Sequence, residues 1–126
     1  MTADHLLLLS LLLFAHFLGD FTPLATPGMR AAKEGNGPVA GIGAHAGVHA
    51  ALVLAVLVLS RVPVRLALAG AAIELVTHLG IDWTRMRLGR ASPALRDPGK
   101  DAFWRALGVD QLAHGLVLVS IAALVR

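Results

Sequence analysis

The sequence predicts an all-α fold, a four-transmembrane-helix bundle made of two helical hairpins. Three observations predict it. Four apolar runs of near-bilayer length, residues 3–21, 39–59, 64–84 and 103–125, are separated by loops rich in Pro, Gly and basic residues. The 126-residue chain is 56% hydrophobic and only 15% charged, with a mean hydropathy of +0.72, whereas soluble domains are about 45–50% apolar and about 25% charged. Each run also carries ionisable residues spaced four apart. The expected unit is one four-helix transmembrane domain over residues 1–126.

The first run, Leu-rich from His5 to Phe21, reaches spanning length when counted from Thr2 and is stopped by Pro23 and Pro27. A cleaved signal peptide would need a basic start, and this one has Asp4 and no Lys or Arg. Residues 22–38 are expected to be a loop, closed by Gly35-Asn36-Gly37-Pro38, with Pro38 placed to open the next helix. The second run is Gly/Ala-rich in its first half, which lets membrane helices approach closely. Its Leu/Val second half is expected to face lipid. Ser60, Arg61 and Pro63 make a tight turn into the third run, and Arg85, Arg87 and Arg90 follow that run. Residues 88–101 read as a second basic loop, broken by Gly89, Pro93, Pro98 and Gly99 and flanked by the interfacial aromatics Trp83 and Trp104.

Lys and Arg are distributed unevenly. The loops after the first and third runs hold eight of them, and the opposite side holds Arg61, Arg65 and Arg126. The positive-inside rule then puts both basic loops in the cytoplasm and both termini outside, in a plasma (inner) membrane. The +3 net charge is read as facing anionic lipid, not nucleic acid; the chain has no Tyr and 5% aromatics, too few for a base-stacking surface. Cysteine is absent, which excludes disulfides, thiolate metal sites and a Cys nucleophile.

Glu74, His78 and Asp82 lie on one face of the third helix, one turn apart. His16/Asp20, His45/His49 and Asp110/His114 repeat that spacing on the other three. The charge count used none of these pairs, yet it places all four near one membrane face. The halves also resemble each other: His16-Phe-Leu-Gly-Asp20 matches His78-Leu-Gly-Ile-Asp82, each followed by a basic loop and a second pair. This weak repeat suggests two hairpins about a pseudo-twofold axis.

Ionisable groups at bilayer depth are functional candidates by default. Five imidazoles (His16, His45, His49, His78, His114) and three carboxylates (Asp20, Asp82, Asp110) suit one or two divalent ions, Zn, Fe or Mn. Inward-facing His and carboxylates in helical bundles build such dinuclear centres. Glu74, one turn deeper, is the candidate catalytic group: a general base acting on metal-activated water, or a residue that orients a ligand. Thr77 and Gln111 are candidates to hydrogen-bond the ligands. Asp4 and His5 sit at the opposite end and are expected to be solvated. Two other readings stay open: a proton or ion path through the same groups, as in a transporter or channel component, and hydrogen bonds that only fix helix packing in a non-catalytic subunit.

The ordered set resembles the DUF3307 family of small bacterial integral membrane proteins, whose pattern is an N-terminal H-x-x-x-D helix, a second helix with His, an internal H-x-x-x-D followed by basic residues, and a terminal D-Q-x-x-H. Here these are His16 to Asp20, His45/His49, His78 to Asp82 with Arg85 and Arg87, and Asp110-Gln111-Leu-Ala-His114. The resemblance covers nearly the whole chain. The family pattern also has a Leu-Gln-Thr-like stretch after the first Asp and a Lys a little later. By resemblance Lys33 corresponds to that Lys, while Phe21 to Pro27 holds no Gln. The resemblance implies topology and membership, with no reaction attached. The expected activity is metal-dependent hydrolysis of an ester or amide in a lipid or other membrane-resident substrate. The expected partners are the bilayer and that substrate, with no nucleic acid; the Gly/Ala-rich faces are compatible with a homo-oligomer.

Overall fold

A computed structural model of the chain describes residues 3–125; Thr2 and Arg126, used above in the span length and the charge count, lie outside them. Among the described residues the regular structure is all helical: α1 (Ala3–Phe21), α2 (Pro27–Lys33), α3 (Ala40–Leu59), α4 (Val64–Ala91) and α5 (Asp101–Leu124), with a 3₁₀ turn at Pro93–Arg96. The four longest helices are long and apolar enough to cross a membrane, and the chain is a multi-pass, membrane-type protein.

The helix ends follow local chemistry. Asp4 complements the dipole in the first turn of α1. Thr26 caps α2, its hydroxyl oxygen accepting from the Met29 N–H at 3.3 Å, and Pro27 supplies the preset first helical φ. This short helix lies where a plain loop was expected. Its seven residues carry no apolar stripe to betray it; the cap and the proline nucleate it. The α3 terminus is a Schellman arrangement: Val62 N–H bonds Leu57 O and Arg61 N–H bonds Val58 O, both at 3.0 Å. Arg61 occupies the left-handed position there with φ 60°. α4 corrects the sequence reading most. It runs 28 residues to Ala91, well past the expected end near residue 84. Gly89 inside a helix costs only about 1 kcal/mol, so the stop waits for Pro93, which drives Ser92 into extended backbone (φ −135°, ψ 102°).

The long helices form a ring in which each touches two neighbours: α1 with α3, α3 with α4, α4 with α5, α5 with α1. Helices matched by the internal repeat, α1 with α4 and α3 with α5, therefore stand across the bundle from each other, as a twofold axis along the bundle requires. The interior has three zones. An apolar cluster of Leu8, Leu12, Val53, Leu57, Leu118 and Ile121 fills one end. Ala32, Ile42 and Met86 form a small apolar cap toward the end bearing the basic loops. Between them the buried residues are almost all ionisable. On α4 one straight stripe shows the sequence of zones: Ala67, Gly70, Glu74, His78, Asp82, Met86, Gly89.

The outer surface is inverted relative to a soluble protein. Leu7, Phe14, Phe17, Val76, Leu112 and Leu116 are exposed while His16, His45, His49, His78 and His114 are buried, which suits a lipid surround. The second half of α3 does not simply face lipid: Val53 and Leu57 enter the core, and Val58 and Leu59 point out. Close approach by small residues is real at Gly41, where a Cβ would sit 2.7 Å from Ala32 Cβ on α2, and absent at Gly43 and Gly47.

Candidate metal centre

Each long helix contributes one imidazole to a common level. His16 (α1), His49 (α3), His78 (α4) and His114 (α5) follow one another around the ring with centroids 5.0, 3.8, 4.0 and 5.0 Å apart. One turn nearer the basic end lies a second level, again one residue per helix: Asp20, His45, Asp82 and Asp110. On α5 the order is reversed, Asp110 before His114, which compensates its antiparallel direction, and α3 supplies a histidine at both levels. All eight predicted ligand residues are thus brought together, each at most about 8% exposed or with its side chain similarly covered.

The repeat persists at atomic distances. His16 Nε2 is 3.4 Å from Asp20 Oδ2, and His78 Nε2 is 3.5 Å from Asp82 Oδ2. His49 Nε2 is 3.3 Å from Asp20 Oδ1, and His114 Nε2 is 3.5 Å from Asp82 Oδ1. Several of these separations exceed a good N–H···O bond, about 2.7–3.2 Å. The three from His49, His78 and His114 match the spacing between two ligands on one tetrahedral ion, about 3.4 Å for metal–ligand bonds near 2.1 Å. Three groups have ligand atoms all within 4.8 Å of one another: Asp20, His45, His49 and His78; His78, Asp82 and His114; and His16, His49, Glu74 and His78. The first two flank His78 on the Asp20 and Asp82 sides.

Neighbouring groups fix which nitrogens face inward. His78 Nδ1 is 3.0 Å from Glu74 Oε1, so Nδ1–H donates to that carboxylate and the Nε2 lone pair faces the cluster. Carboxylate–His pairs of this kind orient metal-ligating imidazoles. Gln111 accepts from His16 Nε2–H (3.1 Å) and donates to Asp20 Oδ2 (2.9 Å) and Asp110 Oδ2 (3.3 Å). Of the two polar neighbours expected from sequence, Gln111 is in the cluster and Thr77 is not. The Thr77 hydroxyl donates to Ile73 O on its own helix at 2.7 Å. Among the described residues, every buried side-chain N or O without a hydrogen bond belongs to the cluster: His16 Nδ1, His45 Nδ1, the Nε2 atoms of His49, His78 and His114, both Asp82 oxygens and Asp110 Oδ1. Stranded buried polar atoms are costly and uncommon; Asp82 Oδ1 has the Lys33 ammonium beside it at 3.1 Å, and the rest, Asp110 Oδ1 aside, lie on residues that could hold a metal ion.

The family model described as protein of unknown function, DUF3307, matches residues 8–126 and takes in the whole cluster. The chain belongs to this family. No curated protein and no solved structure matches it. The DUF3307 cluster holds one further residue that the helical spacing did not single out. Lys33, at the end of α2, places Nζ 3.1 Å from Asp82 Oδ1, 3.4 Å from Asp20 Oδ1 and 3.4 Å from His45 Nε2. Burial opposes its charge, but the carboxylates of Asp82, Asp20 and Asp110 prevail and hold the ammonium above its ordinary pKa of 10.5. The signal that could have found it is charge balance: four buried carboxylates need cations, and Lys33 is the one lysine before Lys100. Around this one ammonium the cluster sets four carboxyl groups, Asp20, Glu74, Asp82 and Asp110. It opens at the basic end through a cavity of about 260 Å³ lined by Asp20, Lys33, His45, Asp110 and Gln111, with arginines at its wall.

Proposed function

We propose that the cluster is a centre for one or two divalent ions, Zn, Fe or Mn, in a membrane-embedded hydrolase that acts on an ester or amide of a lipid or other membrane-resident substrate. The observation that carries this reading is the three stranded Nε2 atoms of His49, His78 and His114, which stand 3.3 to 3.5 Å from oxygens of Asp20 and Asp82. A bound cation would satisfy those atoms. The ligands are His16, Asp20, His45, His49, His78, Asp82, Asp110 and His114. Such an ion, when bound, polarises the scissile group and lowers the pKa of water. The protein's own groups do the rest. Glu74 accepts the His78 Nδ1–H and so fixes the tautomer and orientation of that ligand. Gln111 holds His16, Asp20 and Asp110 in register. Hydrolysis needs no redox partner: the water oxygen bonds to the attacked carbon or phosphorus, the bond to the leaving oxygen or nitrogen breaks, and that atom takes one water proton. The basic loops face the cytoplasm of a plasma membrane in this reading, which opens the cavity to the inner leaflet.

The shape of the interior disfavours a path through the bundle. Beyond Glu74 the next turn of α4 is Gly70, packed so that a Cβ there would meet Leu57 at 2.7 Å and Ile121 at 3.2 Å. The apolar cluster behind it closes the polar column halfway.

Metal analysis of protein purified after loading with Zn, Mn or Fe tests the reading, with His78→Ala as the depleted control. One or two ions per chain in wild type, and a clear drop in the variant, are expected. Near-zero occupancy in both would remove the hydrolase.

A further inference from the structure

The cavity at the basic end is not isolated. A second, apolar groove of about 940 Å³ runs between α4 and α5 on the lipid-facing side and shares Arg85, Leu95 and Asp110 with the cavity as common wall. Its floor is made of small side chains, Gly80, Ala102, Ala106 and Ala113, with Ile81 and Leu116 beside them. From Leu88 to Thr77 it extends about 16 Å along α4 by helix rise, from the basic end toward mid-membrane. The charges lie at one end only. Arg30, Arg85 and Arg96 line the cavity. Each guanidinium gives one N–H to a loop carbonyl, of Ala25 (2.7 Å), Leu95 (3.2 Å) and Glu34 (3.3 Å) respectively, and none forms an ion pair with a carboxylate among the described residues. The carbonyls position the three heads and leave most of their donors unused; Arg85 also lies over the Phe103 ring at 5.8 Å, a contact that leaves its N–H edge free. Arginines held this way around one opening suit a phosphate group.

We propose that groove and cavity form one binding site for a phosphate-headed lipid, its acyl chain in the α4–α5 groove and its phosphate among Arg30, Arg85 and Arg96, beside the His/Asp cluster. As a substrate assignment this rests on the hydrolytic reading above; as a binding site it is measured separately. The occupant follows from charge complementarity. A neutral lipid would leave the arginines unanswered, and a soluble phosphoester would leave the groove unfilled. A lipid that satisfies both enters sideways from the bilayer, and Asp110, in the shared wall, brings its head next to the metal ligands.

The experiment uses the full chain in nanodiscs of zwitterionic lipid and a fluorescent long-chain phosphatidic acid as probe. Competition is measured with unlabelled phosphatidic acid, with diacylglycerol of the same chains and with glycerol phosphate, and metal content is read on the same samples. Phosphatidic acid should compete at least tenfold better than either of the others. The Arg85→Gln/Arg96→Gln pair should weaken probe binding at least tenfold, and so should Ala106→Leu, which fills the groove; Ala113→Leu serves the same purpose if Ala106→Leu does not fold. Equal competition by diacylglycerol would show that the phosphate is not read. Equal competition by glycerol phosphate would assign the cavity to a soluble phosphoester, and unchanged binding in the groove variants would remove the lipid chain; each overturns the proposal. Lipid binding without metal would end the hydrolase and leave this site, whereas metal without lipid preference would do the reverse.

Discussion

Replacing Lys33 by Met separates a cation-binding cluster from a merely structural one. Met keeps the apolar stem and removes the ammonium that lies 3.1 Å from Asp82 and 3.4 Å from Asp20. Asp82 is fully buried and the Asp20 side chain is 6% exposed, so both carboxylates lose their nearest positive charge. Breaking a buried ion pair from one side costs about 3–5 kcal/mol. The Lys33 side chain is 20% exposed, which puts the expected loss at the lower end, about 3 kcal/mol, for protein held in a chelator. A divalent ion changes the sign of the comparison. The ammonium repels any cation that shares its carboxylates, and unit charges about 4 Å apart interact by about 4 kcal/mol at an effective dielectric near 20. Removing it should therefore tighten divalent binding by at least about tenfold, or about 1.4 kcal/mol, and metal at about 100 times its Kd adds about 2.7 kcal/mol of stability. Unfolding by SDS or heat in detergent, with chelator and with metal, together with a direct metal titration, reads all of this. Lys33→Met should trail wild type by about 3 kcal/mol in chelator and by about half as much in saturating metal. Equal destabilisation in both conditions with unchanged metal affinity would refute the argument, because Lys33 would then be the cluster's only cation.

Three further outcomes test other parts of the structure. A Cβ at Gly19 would run into the ring of His49, 2.9 Å from Nδ1 and nearer still to Cε1 and Nε2, and that ring is stacked on His78 at 3.8 Å; Gly19→Ala should lose about 1–3 kcal/mol by overpacking together with most metal binding, whereas Gly108→Ala, with nothing within 4 Å, should gain up to about 1 kcal/mol and keep its metal, both read by thermal unfolding and metal content. Glu74→Gln should lower metal affinity about tenfold by weakening the hold on His78, measured by calorimetric titration; lost turnover at unchanged affinity would instead make Glu74 the general base. Arg61→Gly, at φ 60° in the α3 terminus, should stabilise the protein by about 1 kcal/mol in unfolding measurements.

The four long helices and the convergence of the four pairs were legible because both rest on periodicity. An apolar run fixes a helix, and a spacing of four fixes a face, so His16, Asp20, His45, His49, His78, Asp82, Asp110 and His114 could be assigned to one depth without any contact being known. What was not legible depends on groups that meet across the chain. Lys33 acts through Asp82, 49 positions away; only the family resemblance pointed to it, because no local pattern in Pro27–Lys33 announces what it meets. Gln111 and Thr77 look equivalent beside their pairs, but one residue of offset turns Gln111 toward Asp20 and Thr77 toward the groove. The end of α4 was misjudged because arginines and a glycine look like a loop, while the backbone obeyed Pro93.

That longer α4 also explains why the two halves differ in their tasks. In each half the helix ending in H-x-x-x-D is followed by a short helical turn that begins with Pro and ends on a basic residue, Pro27–Lys33 and Pro93–Arg96. α1 stops one residue after Asp20, so Lys33 folds back onto the aspartate level. α4 continues nine residues past Asp82 to Ala91. At helix rise this carries the second turn about 13 Å further out, and Arg96 reaches the Glu34 carbonyl instead of a carboxylate. One basic loop thereby gives the cluster a single cation, and the other is held away to wall the cavity in front of it. A strictly symmetric pair of loops would put two cations against Asp20 and Asp82, and each would repel an ion held there. The asymmetry in helix length is what keeps the centre short of positive charge while its opening remains basic.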